Sequence, residues 1–315
     1  MRVLSRVFGT AVQARNRLYD RGTLRSYRLR GPVVSVGNIS VGGSGKTPFV
    51  ILLGELLKQE GIRFDVLTRG YRRAAKEISV VDPDGSAEQF GDEPLLVARK
   101  LGVPVIVGAD RYRAGLLAEE RFGPQLHLLD DGFQHRRLAR DFDIVLLTPE
   151  DQADDLLPAG RLREPHLSLS RADAVVLTRG ARAESFPLDG KEVFRVERGI
   201  ECGEIPSRPL AFCGIAKPEV FFNQLRQRGI VPGAQISFRD HHRYSEGDLQ
   251  RLCSIARQRS TNGFVTTEKD VINLGAHANV LAPLTVVRAT MSIDDPGRLV
   301  ALLRARIAER QQLVS

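Results

Sequence analysis

The sequence predicts an α/β protein built on a mostly parallel sheet of the P-loop NTPase type, followed by a second, smaller α/β unit. Three features lead to this prediction. Short apolar segments alternate with amphipathic ones, a glycine-rich loop follows the first apolar segment, and two acidic residues follow a later one. Glycine and proline then crowd residues 183–208, a composition typical of a linker between domains.

The first 30 residues are strongly basic. They contain eight arginines and one acidic residue, Asp20, and therefore carry +7 of the formal net charge of +8. Apolar residues such as Val3, Val7 and Leu18 recur at helical spacing, and several arginines lie on the opposite side. This pattern predicts a basic amphipathic helix, and it lacks the continuous apolar block of a cleavable signal. Such a helix binds either an anionic membrane interface or the core of its own protein, and both possibilities stay open.

The composition of the whole chain excludes several classes of protein. Tryptophan is absent and aromatic residues make up 6%, which argues against an aromatic nucleic-acid platform, so we expect no nucleic-acid partner. Cys202, Cys213 and Cys253 lie too far apart for a disulfide framework or a metal cluster, a usage that fits a reducing compartment. No later segment is long and apolar enough to span a bilayer, so we expect a soluble or peripheral protein.

The hydrophobic periodicity assigns elements to both units. Predicted strands of the first unit are Pro32–Val36, Phe64–Thr68, Ile78–Val81, Val103–Val107, Gln125–Leu129, Ile144–Leu147, Ala174–Leu177 and, in the linker, Glu192–Val196. Its predicted helices end near Gln59, Leu101 and Arg121. The second unit is predicted to contain strands at 210–214, Gly263–Thr266 and Leu284–Arg288, and helices at 218–229, Glu246–Arg259 and Asp295–Arg310.

The glycine-rich loop has the chemistry of a phosphate-binding loop. It consists of Ser40, Val41, Gly42, Gly43, Ser44, Gly45, Lys46 and Thr47, placed between a strand and a helix. Glycines let backbone N–H groups curl around phosphate oxygens, and the helix N-terminus adds its positive dipole end. Lys46 can reach the β- and γ-phosphates, and the Thr47 hydroxyl can bind Mg²⁺. The strict pattern has glycine where Ser40 stands, but the strand-to-helix context still predicts ATP and Mg²⁺ as ligands.

Two carboxylates extend this prediction. Asp130 and Asp131 follow the strand that ends at Leu129. The carboxyl ends of parallel strands meet at one edge of a sheet, and P-loop folds hold the metal or its water with an acid at this point. We therefore predict that both residues serve the metal site, although a solvated strand end would look the same.

Taken together, the motifs resemble the tetraacyldisaccharide 4′-kinase family. The matching segments, in chain order, are 36–48, 68–71 (Thr-Arg-Gly-Tyr), 91–94 (Gly-Asp-Glu-Pro), 110–111, 130–135 (Asp-Asp-Gly-Phe-Gln-His), 157–160, 163–165, 212–216, 240–242 (Asp-His-His) and 267–270 (Thr-Glu-Lys-Asp). They cover nearly the whole chain, and their ensemble is specific although no single motif after the P-loop is.

This resemblance implies a lipid kinase. The expected reaction transfers the γ-phosphate of ATP to the 4′-hydroxyl of a tetraacyldisaccharide 1-phosphate and forms lipid IVA. The substrate is an anionic glycolipid of the cytoplasmic leaflet of the inner membrane, so we expect a peripheral protein at that membrane surface, acting as a monomer. The expected layout is a membrane-associating helix in 1–30, a P-loop domain in 31–205 and a second α/β/α domain in 206–315, joined by a strand linker, with the site in the cleft.

The resemblance also implies roles for individual residues. Asp92 would pair with His241 to activate the acceptor hydroxyl, and the motif position favours His241 over His242. Without the resemblance, the sequence alone favours a helix N-cap ahead of Pro94 for Asp92. Arg111 would stabilise charge on the transferred group or position the lipid phosphate. Further site positions, without individual roles, are Gln134, His135, Arg163 and Glu164. Lys269 and Asp270 belong to a family motif but are equally explained by helix capping.

Two other classes of P-loop protein fit less well. A GTPase reads guanine with Asn/Thr-Lys-x-Asp, whereas Lys269 and Asp270 are adjacent here, and a metal chaperone would need paired Cys or His ligands. A partitioning-type ATPase carries a signature lysine where this chain has Val41. Such a switch hydrolyses ATP when its surface stimulates it, while a kinase needs the lipid acceptor.

Overall fold

A computed structural model describes residues 1–71, 73 and 75–314 of the chain. Its strands are β1 (Val33–Asn38), β2 (Phe64–Thr68), β3 (Ser79–Val80), β4 (Val105–Val107), β5 (Leu126–Asp130), β6 (Phe142–Leu147), β7 (Ala174–Thr178), β8 (Glu192–Glu201), β9 (Leu210–Cys213), β10 (Ala234–Ser237), β11 (Phe264–Thr267) and β12 (Leu284–Ile293). Its α-helices are α1 (Arg2–Asp20), α2 (Lys46–Gln59), α3 (Ala87–Phe90), α4 (Asp92–Leu101), α5 (Arg111–Phe122), α6 (Pro218–Gln227), α7 (Glu246–Gln258), α8 (Glu268–Leu274) and α9 (Pro296–Val314).

The predicted α/β class and its mostly parallel sheet are confirmed. In the described residues, twelve strands form one sheet in the order β10-β9-β11-β12-β8-β7-β6-β1-β5-β2-β4-β3. Strands β1, β2, β5, β6 and β7 are buried along their whole length, as expected for parallel strands covered on both faces. Because β1 lies between β5 and β6, the loops that leave β1 and β5 emerge side by side. This position brings the P-loop next to Asp130 and Asp131.

The linker predicted in residues 183–208 contains strand β8, which extends the predicted strand Glu192–Val196 to Glu201. β8 pairs in parallel with β7 on one side and antiparallel with β12 on the other, from Arg288 opposite Glu201 to Ile293 opposite Val196. The sheet therefore runs without a break from the P-loop half into the second half. The domain limits 31–205 and 206–315 stay a prediction, and the last helix crosses between the halves. Leu299, Leu303 and Ile307 of α9 are buried in the core of the P-loop half.

Helix α1 combines the two alternatives that its sequence left open. Its narrow polar side is buried through Ser5, Gly9 and Asn16, so the helix is docked on the protein. Its apolar side is not the docked one, because Val3 and Val7 are 73% and 62% exposed. Among the described helices, none is long and apolar enough to cross a membrane.

Candidate active site

The P-loop leaves β1 and opens helix α2, as the sequence predicts. Gly42 and Gly45 have φ values of 103° and 89°, a left-handed backbone that side chains rarely adopt, which explains glycine at these two turns. The beginning of the loop is held by an antiparallel bridge between Ser40 and Leu162 and by the Val41 N–H, which donates to the Arg161 carbonyl over 2.8 Å. The loop therefore rests on the segment that precedes Arg163.

Lys46 and Arg163 converge on Asp131. Arg163 donates to both carboxylate oxygens of Asp131, over 3.1 and 2.8 Å, and Lys46 Nζ lies 3.4 Å from Oδ1. Asn38 accepts from both cations and donates to Ser44 Oγ over 2.9 Å. Burial alone would raise the pKa of Asp131, but Lys46 and Arg163 outweigh it and hold that pKa far below its usual range. Asp131 is thus an ionised residue that positions two cations beside the P-loop.

Asp130 has a different environment. It is 5% exposed and accepts a hydrogen bond from the Thr68 hydroxyl over 3.1 Å. Burial, with the charges of Glu93 and Asp131, raises the pKa of Asp130 to about 7, against the charge of Lys46. Among the described residues, no group of three or more His, Cys, Asp or Glu side chains is arranged to hold a metal ion by itself. Mg²⁺ usually binds through one or two carboxylates together with waters and substrate phosphates. Asp130 fits such a role better than Asp131, which already binds two cations.

Arg111, Gln134 and His135 lie around this centre. Burial lowers the pKa of Arg111, and the charge of Asp131 opposes that shift; the Arg111 Nη1 donates to the Ala109 carbonyl over 2.9 Å. Gln134 Nε2 donates to the Asn38 carbonyl over 2.8 Å. Burial and the charge of Arg111 lower the pKa of His135 to about 3, so this imidazole is neutral at physiological pH. Of these three, only Arg111 brings charge toward the carboxylates.

Glu164 does not face the P-loop centre. Its Oε2 accepts from Asn16 Nδ2 over 3.1 Å and from Arg171 Nη2 over 2.7 Å, and the residue is 1% exposed. The Glu164 carboxylate therefore holds helix α1 on the P-loop half. Its neighbour Arg163 contacts Asp131, whereas Glu164 contacts Asn16 of the helix.

Asp92 and His241 meet across the two halves of the molecule. Nδ1 of His241 lies 2.9 Å from both carboxylate oxygens of Asp92, which also accept from the Glu93 N–H and from Asn273 Nδ2, each over 3.0 Å. Burial opposes ionisation of Asp92, yet the hydrogen bond from His241 and the charge of Lys269 outweigh it and lower the pKa of Asp92 to about 2. Asp92 is the first residue of α4, and the N-cap is Gly91, so Asp92 is no capping residue.

The neighbouring histidine has another function. His242 Nε2 lies 3.1 Å from Asp248 Oδ2, and its ring stacks on Phe238 with centroids 4.6 Å apart. Asp248 also caps α7 together with Ser245. His242 is therefore part of the packing of the second half, and of the two histidines it is His241 that contacts Asp92.

Lys269 connects the two parts of the site. Its Nζ lies 3.2 Å from Glu93 Oε1, 3.2 Å from Asp240 Oδ1 and 3.4 Å from His241 Nε2. Glu93 in turn acts on Asp130, so one chain of charges runs from the P-loop carboxylates to His241. A pocket of about 410 Å³ opens over the Asp92–His241 pair, and its lining includes Tyr71, Arg239 and Arg243. By contrast, the neighbour Asp270 accepts from the Gly214 N–H and the Tyr244 hydroxyl and is structural.

Several residues of the site were not singled out from the sequence. Asn38 lies in a motif that carried the resemblance, and its place at the end of β1 was the available signal. Asn273 is five residues beyond the Glu268 that begins α8, in a helix that periodicity did not predict. Arg198 of β8, whose guanidinium donates to the Ser44 carbonyl, stands 154 positions away from the loop that it contacts, and nothing local in the sequence marks it.

Comparisons with known proteins agree with this geometry. Residues 1–308 match the family model LpxK, tetraacyldisaccharide-1-P 4′-kinase. A tetraacyldisaccharide 4′-kinase of Koribacter versatilis is 52% identical over 99% of this chain and 100% of its own length, and one of Geobacter metallireducens is 41% identical over 94% of each. The crystal structure of the "apo" form of LpxK from Aquifex aeolicus in complex with ATP superposes with a TM-score of 0.80 at 37% identity, over 96% of this chain and 97% of that one.

The match extends over nearly the full length of the relatives, and it includes both halves of the sheet, which supply Asp92 and His241 to one pocket. This chain therefore belongs to the tetraacyldisaccharide-1-phosphate 4′-kinase family.

Proposed function

We propose that the chain transfers the γ-phosphoryl group of ATP to the 4′-hydroxyl of a tetraacyldisaccharide 1-phosphate and so forms lipid IVA. The contact of His241 with Asp92 supports this proposal most directly, because a histidine of one half meets a carboxylate of the P-loop half next to Glu93, whose charge acts on Asp130. Lys46, Arg111 and Arg163 supply positive charge for the transferred group. When bound, Mg²⁺ would neutralise phosphate charge, held by Asp130 and the Thr47 hydroxyl, with Asp131 beside them.

The hydrogen bonds around Asp92 indicate which group accepts the proton. Both of its oxygens receive donors, from His241, Glu93 and Asn273, and its pKa of about 2 makes it a weak base. We therefore assign the acceptor role to Nε2 of His241, with Asp92 holding the Nδ1–H and stabilising the imidazolium that forms. The acceptor hydroxyl would replace Lys269 at Nε2 of His241. Lys269 Nζ lies 3.4 Å from this nitrogen, farther than from its partners Glu93 and Asp240, which are each at 3.2 Å.

The reaction is tested directly with radiolabelled ATP. We would incubate the protein with γ-labelled ATP, Mg²⁺ and a tetraacylated disaccharide 1-phosphate in detergent micelles. The expected product is a labelled bis-phosphorylated lipid, lost in Lys46→Ala because that change removes the cation at the phosphates. ATP hydrolysis without labelled lipid in the wild-type protein would refute the kinase reaction and favour a surface-stimulated switch.

We also propose that helix α1 attaches the protein to the cytoplasmic face of the inner membrane. Its exposed apolar side, with Leu4 58% and Val7 62% exposed, is suited to a bilayer interface, and its arginines to anionic headgroups. Val7→Asp should reduce co-sedimentation with anionic vesicles far more than Thr10→Asp, which makes the same charge change at an exposed polar position. Equal loss in both variants, or unchanged binding after deletion of residues 2–20, would contradict this role.

A further inference from the structure

Arg198 projects from the strand that joins the two halves onto the P-loop. It lies on β8, opposite Met291 of β12, and its Nη2 donates to the carbonyl oxygen of Ser44. A Cβ atom at Gly45 would collide with its guanidinium, so the side chain lies directly against the turn that opens α2. This arginine thus touches the phosphate-binding loop from the side of the second half.

Among the described residues the guanidinium of Arg198 has no ion-pair partner, and its Nε is buried without a hydrogen-bond acceptor. The charge that acts on it is that of Glu150, whose carboxylate is already bonded to Lys217. Arg163, on the other side of the loop, shows the contrast, because it is paired with both oxygens of Asp131.

A half-buried cation without an anion is unfavourable, and the free energy improves when an anionic oxygen reaches it. Guanidinium groups bind phosphate oxygens through short charged hydrogen bonds, with several donors in one plane. The anion that a P-loop binds is the phosphate chain of a nucleotide.

We infer that Arg198 is a phosphate-binding residue of the nucleotide site, which donates to an oxygen of the phosphate chain held by the P-loop. This inference rests on the proposed function only in taking a nucleoside triphosphate as the ligand. The strand that links the two halves then carries a ligand of the nucleotide itself, in addition to the P-loop lysine.

The test compares Arg198→Met, Arg198→Gln and Arg198→Lys with the wild-type protein by calorimetric titration of Mg²⁺-ATP and of adenosine. Arg198→Met should weaken ATP binding by roughly tenfold to a hundredfold, the usual range for a hydrogen bond to a charged group, and leave adenosine binding unchanged. Lysine should restore part of the ATP affinity because it keeps the charge, while glutamine, a neutral donor, should not. Arg195→Met, a change at an exposed arginine of the same strand, should bind ATP like the wild type.

A second measurement separates a ligand contact from a brace that merely holds the loop. If Arg198 awaits a phosphate, Arg198→Met should not lower the urea midpoint of the ligand-free protein, because it removes an unpaired cation; a brace would lose stability. The inference is overturned if ATP affinity stays within twofold, if adenosine loses as much as ATP, or if glutamine restores binding as well as lysine. Failure of the wild-type protein to bind ATP would instead refute the nucleotide site as a whole.

Discussion

Replacing Asp92 by asparagine tests the proposed proton acceptor most directly. The change keeps the shape of the side chain and removes the charge that faces His241 Nδ1 at 2.9 Å. Burial opposes ionisation of Asp92, but the hydrogen bond from His241 and the charge of Lys269 lower its pKa from 3.8 to about 2, a net effect on the order of 2 kcal/mol that His241, Lys269 and Asn273 share. The attraction between Asp92 and His241 is mutual, so the carboxylate favours the imidazolium that forms when His241 takes the proton.

Removal of this charge should slow proton transfer to His241. We expect kcat to fall on the order of 10- to 100-fold, at or below the lower end of what the loss of a general base costs, because His241 itself stays in place. The Kd for ATP should stay unchanged, because Asp92 contacts no P-loop residue among those bonded to it. We would measure kcat with the lipid acceptor and the Kd for ATP by calorimetry.

The chain supplies a matched control for this variant. Asp248 holds His242 at 3.1 Å in a second aspartate–histidine pair, which lies outside the pocket. Asp248→Asn should therefore leave kcat unaltered. If Asp92→Asn kept kcat within threefold of the wild type, or if both variants lost rate equally, our assignment of the proton acceptor would be wrong.

Three further predictions concern the scaffold. His127 is fully buried between Asp65, at 2.9 Å, and Glu119, at 3.4 Å. Burial would lower the pKa of His127, but these two carboxylates outweigh it and raise that pKa to about 9. The charge of His127 should therefore stabilise the fold fully below the unfolded pKa of 6.5, and this stabilisation should be lost as the pH rises through about 9. Urea unfolding should show that the free energy of unfolding falls by up to roughly 3 kcal/mol between these pH values. Burial raises the pKa of Asp65 and so offsets part of what its pairing with His127 contributes. His127→Leu should abolish this dependence of stability on pH. Gly37→Ala should lower the yield of folded protein, because its Cβ would lie 2.8 Å from the backbone nitrogen of Phe133. Gly203→Ala is the matched control, because a Cβ there meets nothing within 4 Å and neither glycine has a left-handed backbone. Asn16→Ala should increase proteolysis within α1 and leave kcat in detergent unchanged, because Asn16 bonds to Glu164 and to none of the P-loop residues. A kcat loss like that of Asp92→Asn would instead show that Glu164 takes part in the reaction.

Much of the fold could be predicted from the chain alone because buried parallel strands read as short apolar runs. β2 was predicted to the residue, and β1, β5, β6 and β7 to within two residues at each end. The misses have local causes. β10 has four residues, lies at the edge of the sheet and alternates between partly buried and exposed positions, so it carries no apolar run. β8 was predicted to end at Val196, and its continuation to Glu201 is stabilised by pairing with β12, about 90 positions away.

Some features of the site could likewise be predicted from local sequence motifs, and others could not. The P-loop and the two aspartates are local motifs, and their position follows from strand order in parallel sheets. The pairing of Asp92 with His241 came from the family resemblance, because residues 149 positions apart share no local pattern. For Glu164 the resemblance implied a site position without an individual role, and in the structure its Oε2 is hydrogen-bonded to Asn16 of helix α1 and to Arg171. The direction in which a side chain points depends on the packing around it, which a sequence motif does not contain. The order of the strands is easier to predict from the motifs.

The return of α9 has a consequence for how the protein is made. Leu303 and Ile307 complete a core that also contains Phe49 of α2, so the P-loop half cannot close its interior until helix α9 has left the ribosome. At ~5–20 residues per second, the roughly 260 residues between Phe49 and Ile307 take on the order of 13–50 s to synthesise. During that interval an apolar surface of the nascent chain stays open to water and to chaperones. Mutations in α9 should therefore lower the yield of folded protein in the cell, while the molecules that do fold should have normal activity.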